Sequence, residues 1–211
     1  MTNNSFQSCK IGKLIAVLIL SLFLYVPFIS IAQQGAEGKT LILYHSLTGN
    51  TKACCEAIQQ VLGADIIEIK DLVDRSSRWG FFKAAIGSLS GMHTKIEPGS
   101  PDFSPYSNII IGSPIWTGKL SMAIRTLIDE NQFDDKKVVI FTTTNAYEKE
   151  KYKEKSKDIV RKAGGDVVGY YQVLTKEKVN EAEEIDRPIE HIVEDALKFV
   201  PEIQKAFSSS S

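Results

Sequence analysis

Five residues, Ser46, Thr48, Gly49, Asn50 and Thr51, crowd hydroxyl and amide groups into one short stretch, SLTGNT. They follow the apolar run TLILY and His45, where a buried strand hands over to a helix. A helix N-terminus presents unpaired N–H groups and a partial positive charge, so it can hold a phosphate without a lysine. Ser46, Thr48 and Thr51 add hydroxyl donors, and Gly49 permits close backbone approach or a positive φ. Asn50 and Thr51 are also good N-caps, so the competing reading is an ordinary capped turn.

Two further stretches point to the same chemistry. SPIWTGKL (113–120) and TTTNAY (142–147) each follow an apolar run. Trp116 sits between Pro114-Ile115 and Thr117-Gly118, where a short constrained loop can stack an indole on a flat aromatic ligand. Thr142, Thr143, Thr144 and Asn145, with Tyr147 just beyond, offer polar atoms and backbone amides to a heteroaromatic edge. A phosphate cradle, a stacking aromatic and a polar rim describe a mononucleotide-like ligand with a flat ring. Lys119 is the cation nearest in sequence to the tryptophan. No G-x-G-x-x-G or G-x-x-x-x-G-K-[ST] motif is present, which argues against a dinucleotide fingerprint or a P-loop.

These stretches need a scaffold that gathers them. Strand candidates are TLILYHS (40–46), DIIEIK (65–70), NIIIGS (108–113), KVVIFTTT (137–144) and DVVGYYQVL (166–174). The first, third and fourth are continuously apolar, as strands buried on both faces are. Between them lie helical patterns: Cys54, Ala57, Ile58, Val61 and Leu62; Leu120, Ala123, Ile124, Leu127 and Ile128; Tyr152, Ile159, Val160 and Ala163; Ile189, Ile192, Val193, Ala196 and Leu197. Gly63 and Gly164-Gly165 sit at helix ends. The alternation predicts a doubly wound α/β sandwich with a parallel sheet. In such a sheet, ligands bind outside the carboxyl ends of the strands at the topological switch point. The long connection 71–106 contains RWGFFKAAIGSL (78–89), read as an extra helix. Its Trp79, Phe81 and Phe82 are read as core rather than as a lid.

The combined pattern ILYHSLTGNT, IIIGSPIWTGKLSMAIRTLI and VVIFTTTNA resembles the flavodoxin family, most closely the branch with a long segment after strand two. The resemblance spans about residues 40–200. It implies a flavodoxin-like five-stranded parallel sheet of order 2-1-3-4-5 and non-covalent FMN at the switch point. Carried over, Ser46, Thr48, Gly49, Asn50 and Thr51 would bind the FMN phosphate. Pro114, Ile115, Trp116, Thr117 and Gly118 would form the first flavin loop, and Thr142, Thr143, Thr144, Asn145 and Tyr147 the second. The family branch commonly has serine where His45 stands, and glycines where Asn145 and Ala146 stand.

The ends carry their own signals. Lys10 and Lys13 precede the 13-residue apolar run LIAVLILSLFLYV, Pro27 follows, and Ser30 and Ala32 form a small-x-small pair. That is the pattern of an export signal over residues 1–32; an uncleaved anchor over 14–31, the chain's only membrane contact, is the alternative. Residues 33–39 read as linker, 40–207 as the domain and 208–211 as a tail. Removing Lys10 and Lys13 from the 25 basic residues leaves 23 against 26 acidic, a net of −3, which does not favour nucleic acid. Cys54 and Cys55 are adjacent, poor geometry for a bridge, and Cys54 falls on an apolar helix face. The run KEKYKEKSK (149–157) reads as a solvated helix face. The expected function is extracytoplasmic electron transfer by an FMN carrier. The alternatives are an FMN-dependent NAD(P)H or quinone reductase, or a flavin-free binding module on the same fold. Donor and acceptor are not legible, and no catalytic side chain or metal ligand is expected.

Overall fold

The computed structural model describes residues 38–73, 93–180 and 183–209. Five parallel strands form the central sheet: β1 (Thr40–Tyr44), β2 (Asp65–Glu68), β5 (Asn108–Trp116), β7 (Lys137–Thr144) and β8 (Asp166–Leu174), in the order β2-β1-β5-β7-β8. Numbered as parallel strands alone, this is the expected 2-1-3-4-5. The order reverses between β1 and β5, whose register pairs Leu41 with Ile109 and Leu43 with Ile111. The switch point therefore lies beyond Tyr44 and Gly112, where the SLTGNT turn leaves the sheet.

Alternate residues of each strand face opposite layers. Leu41, Leu43, Ile109, Ile111, Val138 and Ile140 pack with Ile124 and Leu127 of α2 (Met122–Glu130) and Val160 of α3 (Glu150–Lys162). Ile42, Tyr44, Ile110, Val139 and Phe141 pack with Ile58 of α1 (Asn50–Leu62), Ile192 of α4 (Ile189–Leu197), and Ile203 and Phe207 of α5 (Val200–Ser208). The charged stretch is the solvated face of α3, with Lys157 and Arg161 paired to Glu154 at 2.6 and 3.2 Å. Three small pairings complete the secondary structure of the described residues: β3 (Lys70–Asp71) with β4 (Ile96–Glu97), β9 (Lys176–Lys178) with β10 (Glu184–Asp186), and β6 (Lys119–Leu120) with the end of β5.

Three differences from the sequence reading have physical causes. The stripe on α1 is rotated: Val61 is 58% exposed, while Thr51, Cys54, Cys55 and Ile58 are buried. Cys55, next to Cys54 on the helix, packs toward Gly112, where a Cβ would lie 2.4 Å from its sulfur. Strand β5 does not stop at Ser113 but continues through Pro114 to Trp116. The helix expected over 78–89, and with it Trp79, Phe81 and Phe82, lies outside the described residues. So do residues 1–37. Among the described residues, no helix is long and apolar enough to cross a membrane.

Candidate functional site

The SLTGNT turn gives α1 an unusual start. Gly49 occupies the cap position with φ 95°, a conformation costly for any residue with a Cβ, and no side chain caps the helix. By contrast, Ser121 caps α2 by accepting from the Ile124 N–H. The hydroxyl of Ser46 accepts from the Gly49 N–H at 3.2 Å and so shapes the turn. Nothing lies within 4 Å of where a Gly49 Cβ would stand. The first turn of α1 is thus left without a side-chain cap.

The stretch around Trp116 is a β-hairpin, not a loop. Ile115 pairs with Leu120 and Trp116 with Lys119. The two turn residues, Thr117 and Gly118, have φ of 52° and 72°, the positive pair that a tight hairpin with native twist requires. The Tyr152 ring of α3 lies 3.3 Å from where a Gly118 Cβ would stand, so the turn is backed by a helix. Trp116 meets His45 edge to face, with centroids 5.9 Å apart and planes at 84°. His45 is buried, and its Nδ1 donates to the Ile69 carbonyl at 2.9 Å. Its ring buttresses the indole.

A crevice of about 390 Å³ joins these pieces. Thr48 and Asn50 line it with Pro114, Ile115, Trp116, Thr143, Thr144 and Asn145. The other sequence candidates lie elsewhere. Ser46 and Gly49 form the turn behind the wall. Thr51 is buried and bonds through Oγ1 to Thr143 Oγ1 at 2.8 Å. Thr142 is buried and donates to the Tyr171 carbonyl. Thr117 and Gly118 make the hairpin turn, and Tyr147, 69% exposed, borders a neighbouring crevice. The Thr144 hydroxyl donates to the Ala146 carbonyl at 2.8 Å. The three threonine hydroxyls therefore serve the protein itself, leaving Asn145 and backbone groups as the polar rim. Asn145 Oδ1 accepts from Thr175 at 2.8 Å. Neither Asn145 nor Ala146 takes a positive φ, so residues larger than glycine stand there without backbone strain.

Sequence reasoning missed Thr175, Lys176, Asp186 and Arg187, which also line the crevice. They follow β8, and applying the carboxyl-end rule to the fifth strand points to the first two. Arg187 donates to the Leu174 carbonyl at 2.7 Å and to Asp195 at 2.6 Å. Hydrogen bonds from Lys198 and then Arg187 hold the Asp195 carboxyl below the usual range. Lys176 and Arg187 are the cations of this crevice; Lys119 lines a different one, between α2 and α3. Burial pushes the Cys54 thiol up to about 12 and the Cys55 thiol well above its ordinary value. Both are free, and neither forms an appreciable thiolate near neutrality.

Next to Tyr147, Glu148 is drawn inward. Its Oε2 accepts from Tyr170 Oη and from Gln172 Nε2, the latter at 2.8 Å. Its Oε1 and the Gln172 Oε1 are buried acceptors without a donor. Burial holds this carboxyl above the usual range, opposed by the Tyr170 hydrogen bond and Lys153. Because the folded state favours the neutral acid, the contribution of Glu148 is fully present below the ordinary glutamate pKa. It is lost as pH rises through the higher folded value. Glu148→Gln is always neutral and is expected to match the parent below the ordinary glutamate pKa and to exceed it above the higher folded value. Denaturant midpoints across pH check this; a difference independent of pH would contradict it.

An uncapped helix start at the switch point, a tryptophan hairpin and a polar strand end meet at one crevice on the carboxyl edge of a doubly wound α/β sheet. The flavodoxin family model matches residues 39–182, and the chain belongs to the flavodoxin family. A crystal structure of a flavoprotein from Lactobacillus acidophilus in complex with FMN is 25% identical, with a TM-score of 0.53 over 64% of this chain and 93% of that one. A protein from Bacteroides uniformis assigned as a flavoprotein has a TM-score of 0.59 at 19% identity, covering 74% of this chain and 96% of its own. One from Bacteroides eggerthii has 0.55 at 21%, covering 77% and 98%. The last two share the fold. No curated protein sequence matches the chain.

Proposed function

We propose that this protein binds FMN non-covalently in the crevice at the switch point and works in electron transfer. The observation that carries the reading is the meeting, in one crevice, of Thr48 and Asn50 beside an uncapped helix start with Trp116 and Thr143–Asn145. The residues fit the group: an uncapped helix start suits a phosphate, the indole suits a flat ring, and the volume falls among ligand pockets of about 300–1,000 Å³. The bound flavin would supply the redox chemistry. The chain's part is to hold the phosphate at α1, to stack Trp116, and to present Asn145 and backbone amides to the ring edge. Lys176 and Arg187 stand on the same wall, each paired with an acid: Lys176 with Asp186 at 3.8 Å and Arg187 with Asp195 at 2.6 Å.

Purified protein titrated with FMN tests this. Flavin fluorescence should be strongly quenched on binding. Trp116→Ala should recover part of it and lose about tenfold in affinity. A variant that binds and quenches like the parent removes Trp116 from the site. Absence of any FMN binding leaves the flavin-free module.

A second reading is favoured by the neighbouring crevice of about 560 Å³, which shares Asn145, Lys176 and Arg187 with the first. Space for a second small molecule beside the ring suits an NAD(P)H or quinone reductase. Turnover with NADH, NADPH and a quinone separates it from a carrier, which should show none. We further propose export, on the basic, apolar and small-x-small pattern of residues 1–32. Intact mass from an exporting host should show cleavage after Ala32; a membrane-bound product retaining Met1 would support the anchor instead.

A further inference from the structure

We propose that Glu148 is a proton-operated pin on the loop 145–149. Neutral, it holds the loop against β8; ionised, it lets the loop go, so that flavin binding weakens as pH rises. The effect on flavin rests on the FMN reading above, whereas the pin itself does not. The loop joins β7 to α3 and holds no helical or strand residue. Asn145 lines the flavin crevice, and Asn145, Ala146 and Tyr147 line its neighbour. All three are exposed, so the shape of both crevices depends on how the loop is tethered.

The near end of the loop is tied by two hydroxyls. Thr175 donates to Asn145 Oδ1 and Thr144 to the Ala146 carbonyl, both at 2.8 Å. The far end is tied by Glu148, whose Oε2 accepts from Tyr170 Oη and, at 2.8 Å, from Gln172 Nε2. Both partners belong to β8, and Gln172 is buried. This tether suits a neutral acid. Glu148 Oε1 is closed to water and meets no donor, and the same holds for Oε1 of the Gln172 amide. An anion with an oxygen so placed loses hydration that nothing replaces. Burial accordingly holds the carboxyl above its usual range. The surrounding groups leave that balance in place. Lys153 of α3 opposes it in part and lies 3.6 Å from Glu150. Lys157 of α3 lies over the Tyr170 ring but is paired with Glu154 at 2.6 Å. Tyr170 stays a donor, because burial and Glu148 push its own ionisation far up; the hydroxyls that reach it, Thr142 of β7 and Ser156 of α3, are uncharged. Once ionised, Glu148 regains water by swinging out with its exposed loop neighbours, at the loss of two hydrogen bonds.

The pinned loop thus binds the proton more tightly than the released loop, whose solvated carboxyl has the ordinary value. Pinning is complete below the ordinary glutamate pKa and is lost as pH rises through the higher, pinned value. Carbon-13 NMR of the full chain without flavin reads this directly. The Glu148 Cδ shift locates the titration. The Ala146 methyl, whose carbon is fixed to the backbone, reports the order of the loop. In the parent its order parameter should fall from about 0.8 below the titration to under about 0.6 above it. Glu148→Gln should keep the high value throughout and Glu148→Ala the low one. FMN titrations across the same pH range read the consequence: the parent should lose about fivefold in affinity relative to Glu148→Gln. Taking the ratio of the two proteins cancels the titration of the FMN phosphate. An order parameter that stays level in the parent, or falls equally in Glu148→Gln, overturns the pin; the parent's course alone decides this if the variant fails to fold. A working pin with an affinity ratio independent of pH overturns the coupling to flavin. Absence of FMN binding by both proteins overturns that coupling together with the FMN reading, while the Ala146 methyl still decides the pin.

Discussion

Gly112→Ala is expected to destabilise the domain by about 3 kcal/mol, and adding Cys55→Ala should return at least about 1 kcal/mol of that loss. Gly112 lies on β5 at the switch point, paired with Tyr44 of β1. A methyl group there would stand 2.4 Å from Cys55 Sγ and 2.9 Å from Tyr44 Cβ. The first neighbour belongs to α1, whose approach to the sheet this glycine permits. Removing the sulfur relieves that contact. The second neighbour is fixed by the strand pairing, so relief is partial. Denaturant unfolding of the parent, both single variants and the double variant gives the coupling. Simple additivity would mean that α1 shifts to make room and that the glycine does not set its distance.

The second large effect concerns the phosphate turn. Thr48→Val with Asn50→Ala should weaken FMN about 100-fold while weakening riboflavin less than about threefold. Two hydrogen bonds to a charged group are each worth about 1.5–3 kcal/mol, and only FMN carries the phosphate. Parallel titrations with both flavins decide it. Equal loss for the two would move the phosphate away from α1, whatever the fate of the ring.

How far the sequence speaks differs between scaffold and site. β7 and β8 coincide with the expected 137–144 and 166–174: β7 is buried on both faces, and glycine and charged residues flank both strands. β2 was read two residues long, since Lys70 belongs to a separate small pairing with Glu97. The hairpin was hidden because Pro114 and Gly118 resemble loop punctuation. Pro114 lacks only a donor, and Thr117 reaches a positive φ without being a glycine. Local sequence signals neither. The threonines that end β7 were taken as ligand groups, yet the strand pairing turns Thr142 toward β8 and brings Thr143 to Thr51. Which way a hydroxyl faces is a property of the register, not of the residue. Lys176 and Arg187 belong to no local motif, and only the path from β8 to α4 brings them to the crevice.

The hairpin has a kinetic consequence. Trp116 stands on a paired strand whose turn is backed by Tyr152, with His45 in edge-to-face contact with the indole. A stacking residue on a free loop must be immobilised when its ligand arrives, at roughly 0.5–1.5 kcal/mol of ordering entropy for such a side chain. Here that ordering is completed when the chain folds. Association should then proceed in a single phase whose rate grows linearly with ligand concentration, without the plateau that a preceding rearrangement imposes. The tryptophan's own fluorescence anisotropy should already be high before any ligand is added.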